Sequence, residues 1–182
     1  MEAQMETVKV YDKEFSLFLT ADDIEKAVDQ VAEMINIDMK GRNPLFLCVL
    51  NGAFMFASDL LKKIDVDCEI SFVKLSSYVG TSSTNTVREL IGLDKNLNDR
   101  TVIVVEDIID TGLTMAYTIG KLRKLGATDV RIASLLFKPE AFRENYPIDY
   151  VGIVIPNEFI VGYGLDYNGH GRNLPDIYKI IA

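Results

Sequence analysis

The sequence offers one stretch dense enough in polar chemistry to argue from: Glu106-Asp107-Ile108-Ile109-Asp110-Thr111-Gly112-Leu113-Thr114, directly after the apolar run Val102–Val105. Two adjacent carboxylates end a buried strand, a third follows three residues on, and Thr-Gly-Leu-Thr opens a helix. Amides at a helix start, with Gly112 permitting close backbone approach and Thr111 and Thr114 supplying hydroxyls, form a cradle for a phosphate monoester that needs no lysine. Three carboxylates beside a phosphate would repel it unless they face hydroxyls, a Mg²⁺ ion or a proton to be removed. A ligand carrying both a phosphate and a hydroxylated ring meets both demands. The alternative is an ordinary strand–turn–helix with Asp110 or Thr111 as its cap. Acids at this density beside a buried strand argue against that, because an unpaired charge resists burial.

Other phosphate motifs are missing. There is no G-x-x-x-x-G-K-[ST], and Gly162-Tyr163-Gly164 lacks the third glycine of a dinucleotide fingerprint, since Tyr167 stands in its place. The elements that must position the acid-rich turn can be read from periodicity. Thr20 with Asp23 makes a capping signal, and Ile24, Ala27, Val28, Val31 and Ile35 recur at helical spacing until Gly41 and Pro44. Leu45–Leu50 (LFLCVL) and Thr101–Asp107 are short apolar runs that suit strands covered on both faces. Helices are expected at Ala53–Lys63 and Met115–Leu125, the second closed by Gly126, and further strands at Glu69–Ser76, Arg131–Phe137, Tyr150–Ile155 and Ile177–Ile181. Ser76–Arg88, rich in Ser and Thr, reads as a long mobile loop or ribbon. Strands alternating with helices imply an α/β sheet, mostly parallel, with its ligand at the strands' carboxyl ends.

Composition sets the limits. The chain has 182 residues, 48% of them apolar, which suffices for a core without staples and predicts one domain over residues 1–182. Net charge is −8 with a single histidine, which argues against nucleic acid as a partner, since phosphate neutralisation needs a basic stripe. Residues 1–40 hold ten acids and four bases, so most of the acidity lies on the first helix. Cys48 and Cys68 are no disulfide framework, and no 18-residue apolar stretch or signal-like leader is found, so no membrane partner and a cytoplasmic location are expected.

Val104–Thr114 resembles the phosphoribosyl-pyrophosphate motif of type I phosphoribosyltransferases, and EDIIDTGLT resembles the hypoxanthine-guanine branch in particular. Four more segments agree in order along the chain. Leu50-Asn51-Gly52 resembles the pyrophosphate loop, Ser76-Ser77-Tyr78 the start of the lid loop, and Phe137-Lys138 the segment bearing the purine-reading lysine. Phe159 to Asn168 resembles the base-stacking and metal-binding segment. The resemblance implies that family's fold, with a small hood built from terminal segments over the sheet. It also implies transfer of a 5-phosphoribosyl group from phosphoribosyl pyrophosphate to a 6-oxopurine, with Mg²⁺, in a homodimer or homotetramer.

Residue roles follow from the same resemblance. Asp110 is the catalytic general base at purine N7, while Glu106 and Asp107 face the ribose hydroxyls and the metal. Asp110, Thr111, Gly112, Leu113 and Thr114 hold the 5′-phosphate. Asn51, Gly52 and Arg172 serve the pyrophosphate; Lys138, Phe159, Ile160 and Asp166 serve the purine, with Asp166 also a metal ligand. Taken alone, Lys138 reads as a solvated charge, Phe159 as core packing and His170 as an exposed loop histidine. Two positions depart from the pattern: Asn51 stands where relatives commonly carry a basic residue, and Gly169-His170-Gly171 where they carry aromatic or longer ones. A cis peptide, common in the family's pyrophosphate loop, would fall at Leu50–Asn51. Competing readings are a non-catalytic sensor of phosphoribosyl pyrophosphate, a phosphoryl-accepting receiver domain, and a sister transferase for adenine, orotate or uracil.

Overall fold

The structure is a computed structural model that describes residues 6–78, 86–91 and 96–181. Among the described residues ten strands form two sheets, accompanied by three helices. The larger sheet contains β3 (Leu45–Leu50), β4 (Glu69–Tyr78), β5 (Thr86–Ile91), β6 (Thr101–Ile109), β7 (Asp129–Phe137) and β8 (Tyr150–Val154), in the order β5-β4-β3-β6-β7-β8. Five of these strands run parallel, and β5 adds an antiparallel edge.

The apolar runs become central strands because both their faces are covered. Alternate residues point to opposite sides. Phe46, Cys48, Ile103 and Val105 meet α1 (Ala21–Asp38) and α2 (Phe54–Leu61), while Leu45, Leu47, Val102 and Val104 meet α3 (Leu113–Lys124). The expected periodicity of α1 is the buried one, with Ile24, Ala27, Val28, Val31 and Ile35 facing the sheet. Burial of each larger side chain contributes roughly 1.5–3 kcal/mol before entropy is counted. Thr20 and Asp23 form the capping box reciprocally, each side chain accepting from the other's backbone amide at 3.2 Å. Gly126, at φ +96°, follows the end of α3, where the Ala127 amide donates to Leu122 O and the Gly126 amide to Arg123 O.

The smaller sheet is the hood. It consists of β1 (Thr7–Val10), β2 (Lys13–Leu19), β10 (Ile177–Ile180) and β9 (Ile160–Val161), antiparallel in the order β1-β2-β10-β9. The hairpin β1–β2 turns at Tyr11-Asp12, and Tyr11 takes φ +55° with no glycine to mark it.

Several boundaries differ from those expected. α2 is shorter than Ala53–Lys63, with Ala53 as its N-cap. α3 begins at Leu113 rather than Met115, because Gly112 in a left-handed conformation already starts the helix. Ser76, Ser77 and Tyr78 extend β4 and pair with Arg88, Val87 and Thr86, so the two ends of the Ser76–Arg88 segment are ribbon; residues 79–85, the rest of the expected lid, lie outside the described residues.

Candidate active site

The order of the parallel strands reverses direction between β3 and β6, and their carboxyl ends open on the crevice where ligands of such sheets sit. Asn51-Gly52 leaves β3 there and Asp110-Thr111-Gly112 leaves β6. The second link is three residues long, and its last residue, Gly112 at φ +89°, is the N-cap of α3 with no side-chain cap bond. Neither Asp110 nor Thr111 caps the helix. That leaves the first amides of α3 free to face a ligand. Glu106, Ile108, Ile109, Asp110, Thr111, Gly112, Thr114 and Met115 line a pocket of about 110 Å³ at this helix start. Leu113, placed with them by sequence, turns its side chain to solvent.

The carboxylates divide by environment. Asp107 is buried and its Oδ1 accepts from the Ile108 amide at 2.9 Å. Burial, and then the neighbouring Asp107 charge, hold Glu106 well above the ordinary carboxylate range. Burial also raises Asp107, an effect opposed by hydrogen bonds from Glu106 and the Ile108 amide and by the charge of Arg172. The pair is a site short of positive charge. Asp110, by contrast, is half-exposed, and Lys138 Nζ approaches its Oδ2 at 3.5 Å. Lys138 itself is only 7% exposed, so it is not a solvated surface charge. Its backbone amide donates to Ile109 O at 3.0 Å, which fixes the start of the β7–β8 loop beside the Asp110–Gly112 turn.

Across the crevice the Leu50–Asn51 peptide is cis. Gly52 lies directly against Asp107: a Cβ there would overlap Oδ2 and stand 2.5 Å from Cγ. The other side of Gly52 meets the hood, where a Cβ on Gly164 would overlap Gly52 O. Arg172 donates to Gly164 O at 2.6 Å and pairs with Asp166 Oδ1 at 2.6 Å; Asp166 Oδ2 accepts from the Gly169 amide at 2.7 Å. Arg172 and Asp166 therefore hold each other. Among the described residues no three His, Cys, Asp or Glu side chains converge as a metal cluster, so Asp166 is not gathered with Glu106 and Asp107 into one.

In the hood, Phe159 is 47% exposed rather than packed in the core, with its ring 6.4 Å from Phe15 and edge-on to Tyr167 at 5.9 Å. Ile160 pairs with Lys179, and Ile180 donates to Phe159 O at 3.0 Å. In an antiparallel ladder that register turns the Ile160 N–H and C=O away from β10, to the open side of the edge strand. His170 is exposed, as expected, and it stacks on Tyr11 at 5.3 Å and 17° and exchanges backbone hydrogen bonds with Tyr167 at 3.0 Å. Ser76, Ser77 and Tyr78 lie at the carboxyl end of β4, beyond the level of Leu50.

Three contributors have no role assigned to them by the sequence pattern. Tyr146 donates to Gly112 O at 2.8 Å, and Phe142 packs edge-on against Tyr146 at 5.2 Å beneath that glycine. Tyr163, at φ +48°, donates to Asp59 Oδ2 at 2.6 Å and ties the hood to α2. The signal for the first pair is two aromatics four apart in an otherwise polar loop between Pro139 and Pro147.

Residues 18–168 match the model of the phosphoribosyl transferase domain. The hypoxanthine-guanine phosphoribosyltransferase of Streptococcus thermophilus is 42% identical over 160 residues, covering 87% of this chain and 89% of that protein. The bifunctional protein TilS/HprT of Listeria monocytogenes is 40% identical over 162 residues, covering 88% of this chain; the chain spans a quarter (25%) of that longer relative. A solved hypoxanthine-guanine phosphoribosyltransferase from Bacillus anthracis superposes with a TM-score of 0.86 at 36% identity, covering 95% of this chain and 100% of that one.

Proposed function

The chain belongs to the phosphoribosyl transferase family, and from that premise we propose that it is a purine salvage enzyme, a hypoxanthine-guanine phosphoribosyltransferase. It transfers the 5-phosphoribosyl group from phosphoribosyl pyrophosphate to hypoxanthine or guanine, giving IMP or GMP and pyrophosphate. The observation that carries the choice of base is the buried Lys138, whose ammonium stands 3.5 Å from Asp110 at the start of the phosphate turn. A lysine in that position offers hydrogen-bond donors to a purine O6, which adenine lacks.

In the reaction the ribose C1–O bond to pyrophosphate breaks, positive charge builds on the ring, and a C1–N bond forms as the purine loses a proton. Asp110, half-exposed beside Lys138, is the acceptor for that proton. The amides from Thr111 to Thr114 and the two threonine hydroxyls bind the 5′-phosphate in the small pocket. Glu106 and Asp107 address the ribose hydroxyls, and their negative charge favours the cationic ring in the transition state. Asn51 and Gly52 offer backbone amides to pyrophosphate, and Arg172 offers its guanidinium. Phe159 stacks on the base while the open N–H and C=O of Ile160 meet its edge. Ser76, Ser77 and Tyr78 begin the lid that keeps water from the reacting carbon.

The residues fit Mg²⁺. Asp107 is buried and Glu106 beside it lines the pocket, a carboxylate pair short of a cation, and Mg²⁺ is usually held by one or two carboxylates with substrate oxygens rather than by an all-protein cage. Held there, or at Asp166, it would supply charge neutralisation for the leaving group.

Residues 1–182 act as one unit in this reading. The two free thiols, with Cys48 pushed up to about 12 by burial, suit a reducing cytoplasm. A homodimer or homotetramer is supported by the exposed Ile70 and Phe72, neighbours on one face of β4. Among the described residues no helix is long and apolar enough to cross a membrane. The test is an absorbance assay with hypoxanthine, guanine and xanthine, phosphoribosyl pyrophosphate and a Mg²⁺ titration. Turnover of hypoxanthine or guanine that stops on metal removal is expected, and no turnover of either base refutes the reading.

A further inference from the structure

The loop from Lys138 to Asp149 has no place in the chemistry above apart from its first residue, yet its backbone and one of its side chains grip the phosphate turn. The Arg143 amide donates to Thr111 O at 3.1 Å, and Tyr146 Oη donates to Gly112 O at 2.8 Å. Gly112 O also accepts from the Ala116 amide at 2.9 Å, as the first bond of α3. A trans peptide is planar, so its N–H points opposite to its C=O. Pinning Thr111 O towards this loop therefore turns the Gly112 N–H away from it, and pinning Gly112 O does the same for the Leu113 N–H. The residues that line the 110 Å³ pocket belong to β6, the turn itself and the start of α3, and none belongs to this loop. Phe142 and Tyr146 also fill the space in which Gly112 would otherwise carry a side chain: a Cβ there would stand 2.6 Å from Phe142 Cε2 and 2.8 Å from Tyr146 Oη.

We propose that Tyr146 is a positioning residue that aims the amide donors of the phosphate turn, through its hydroxyl on Gly112 O, without touching the substrate. The inference deepens the proposed phosphoribosyl transfer and rests on it. Because the carbonyl keeps its bond from Ala116 when the hydroxyl is removed, Tyr146→Phe orphans no buried group and retains the ring contacts with Phe142. The variant therefore isolates aim from folding.

The test compares wild type and Tyr146→Phe in steady-state kinetics, and in calorimetric binding of IMP against inosine, which differ only by the 5′-phosphate. Loss of one positioning hydrogen bond should raise KM for phosphoribosyl pyrophosphate and weaken IMP by about 3- to 10-fold. KM for hypoxanthine, kcat and inosine affinity should stay within about twofold. A merely structural role would lower the unfolding midpoint and weaken IMP and inosine alike. An unchanged IMP-to-inosine ratio, whether both weaken or neither does, overturns the proposal. A wild-type protein that turns over neither hypoxanthine nor guanine overturns the proposed function instead; the comparison of ribose 5-phosphate with ribose then still decides whether Tyr146 serves a phosphate site.

Discussion

Gly52→Ala adds one methyl group at the point where the pyrophosphate loop touches Asp107. The new Cβ would overlap Oδ2 and stand 2.5 Å from Cγ and 3.0 Å from Oδ1, against an ordinary contact that begins near 3.4 Å. Something must move by about 1 Å. Asp107 is poorly placed to yield, being buried, tied at Oδ1 to the Ile108 amide at 2.9 Å and bonded to Glu106. Gly52 cannot back away either, because its carbonyl abuts Gly164 of the hood. A misplacement of this size costs on the order of 10²-fold in rate when it falls on groups that orient substrate, and overpacking costs about 1–3 kcal/mol of stability. At roughly 2–4 °C per kcal/mol for a chain of this length, the unfolding midpoint should fall by about 2–12 °C. Initial rates with phosphoribosyl pyrophosphate varied at saturating hypoxanthine and Mg²⁺ should show kcat/KM reduced about 100-fold. Gly120→Ala, the same change inside α3 with no atom within 4 Å of the new Cβ, is the control and should stabilise slightly. Gly52→Ala with activity within about threefold of wild type and an unchanged midpoint would refute the packing argument.

Asp110→Asn should lower turnover by about 10²–10⁴-fold with KM for phosphoribosyl pyrophosphate nearly unchanged, and near-normal turnover in initial-rate assays removes Asp110 as the base. Lys138→Ala should reduce kcat/KM for hypoxanthine by about 10- to 150-fold, the worth of a charge-assisted hydrogen bond, while leaving adenine turnover where it was; unaltered base selectivity contradicts that role. Burial holds Glu106 well above its ordinary value and raises Asp107 as well, so the folded protein retains protons that the unfolded chain has released. The resulting destabilisation is absent below the ordinary carboxylate pKa of about 4 and grows as pH rises through the elevated values. Metal-free Asp107→Asn should therefore melt higher than wild type at neutral pH, with the gain shrinking toward pH 4; a gain independent of pH in thermal scans speaks against the charge argument.

Much of the larger sheet could be read from the sequence because its strands are long apolar runs and its turns carry their own chemistry. LFLCVL and TVIVVED lie at the centre of the sheet, where both faces are covered, and the Thr20–Asp23 capping box marks the start of α1. The hood was harder to read in its details. β9 has two residues, and β1–β2 turns on Tyr11 without the glycine or asparagine that announces a hairpin. At the site, EDIIDTGLT is local in sequence and so was legible as a unit. What the pattern did not reveal is what neighbours impose from a distance: the burial of Lys138, the mutual capture of Asp166 and Arg172, and the grip of Tyr146 on Gly112.

β10 sits between β2 and β9 in the hood, pairing Tyr178 with Leu17 and with Val161, and Asp176 just before it accepts from the Ala21 amide at α1. Every other described element precedes it in the chain. The hood is therefore closed by strands from opposite ends of the described chain, a non-local pairing of the kind that is slow to form. The support for Phe159 and Ile160 thus matures after that of the Asp110–Gly112 turn, whose sheet is built from neighbouring strand–helix units.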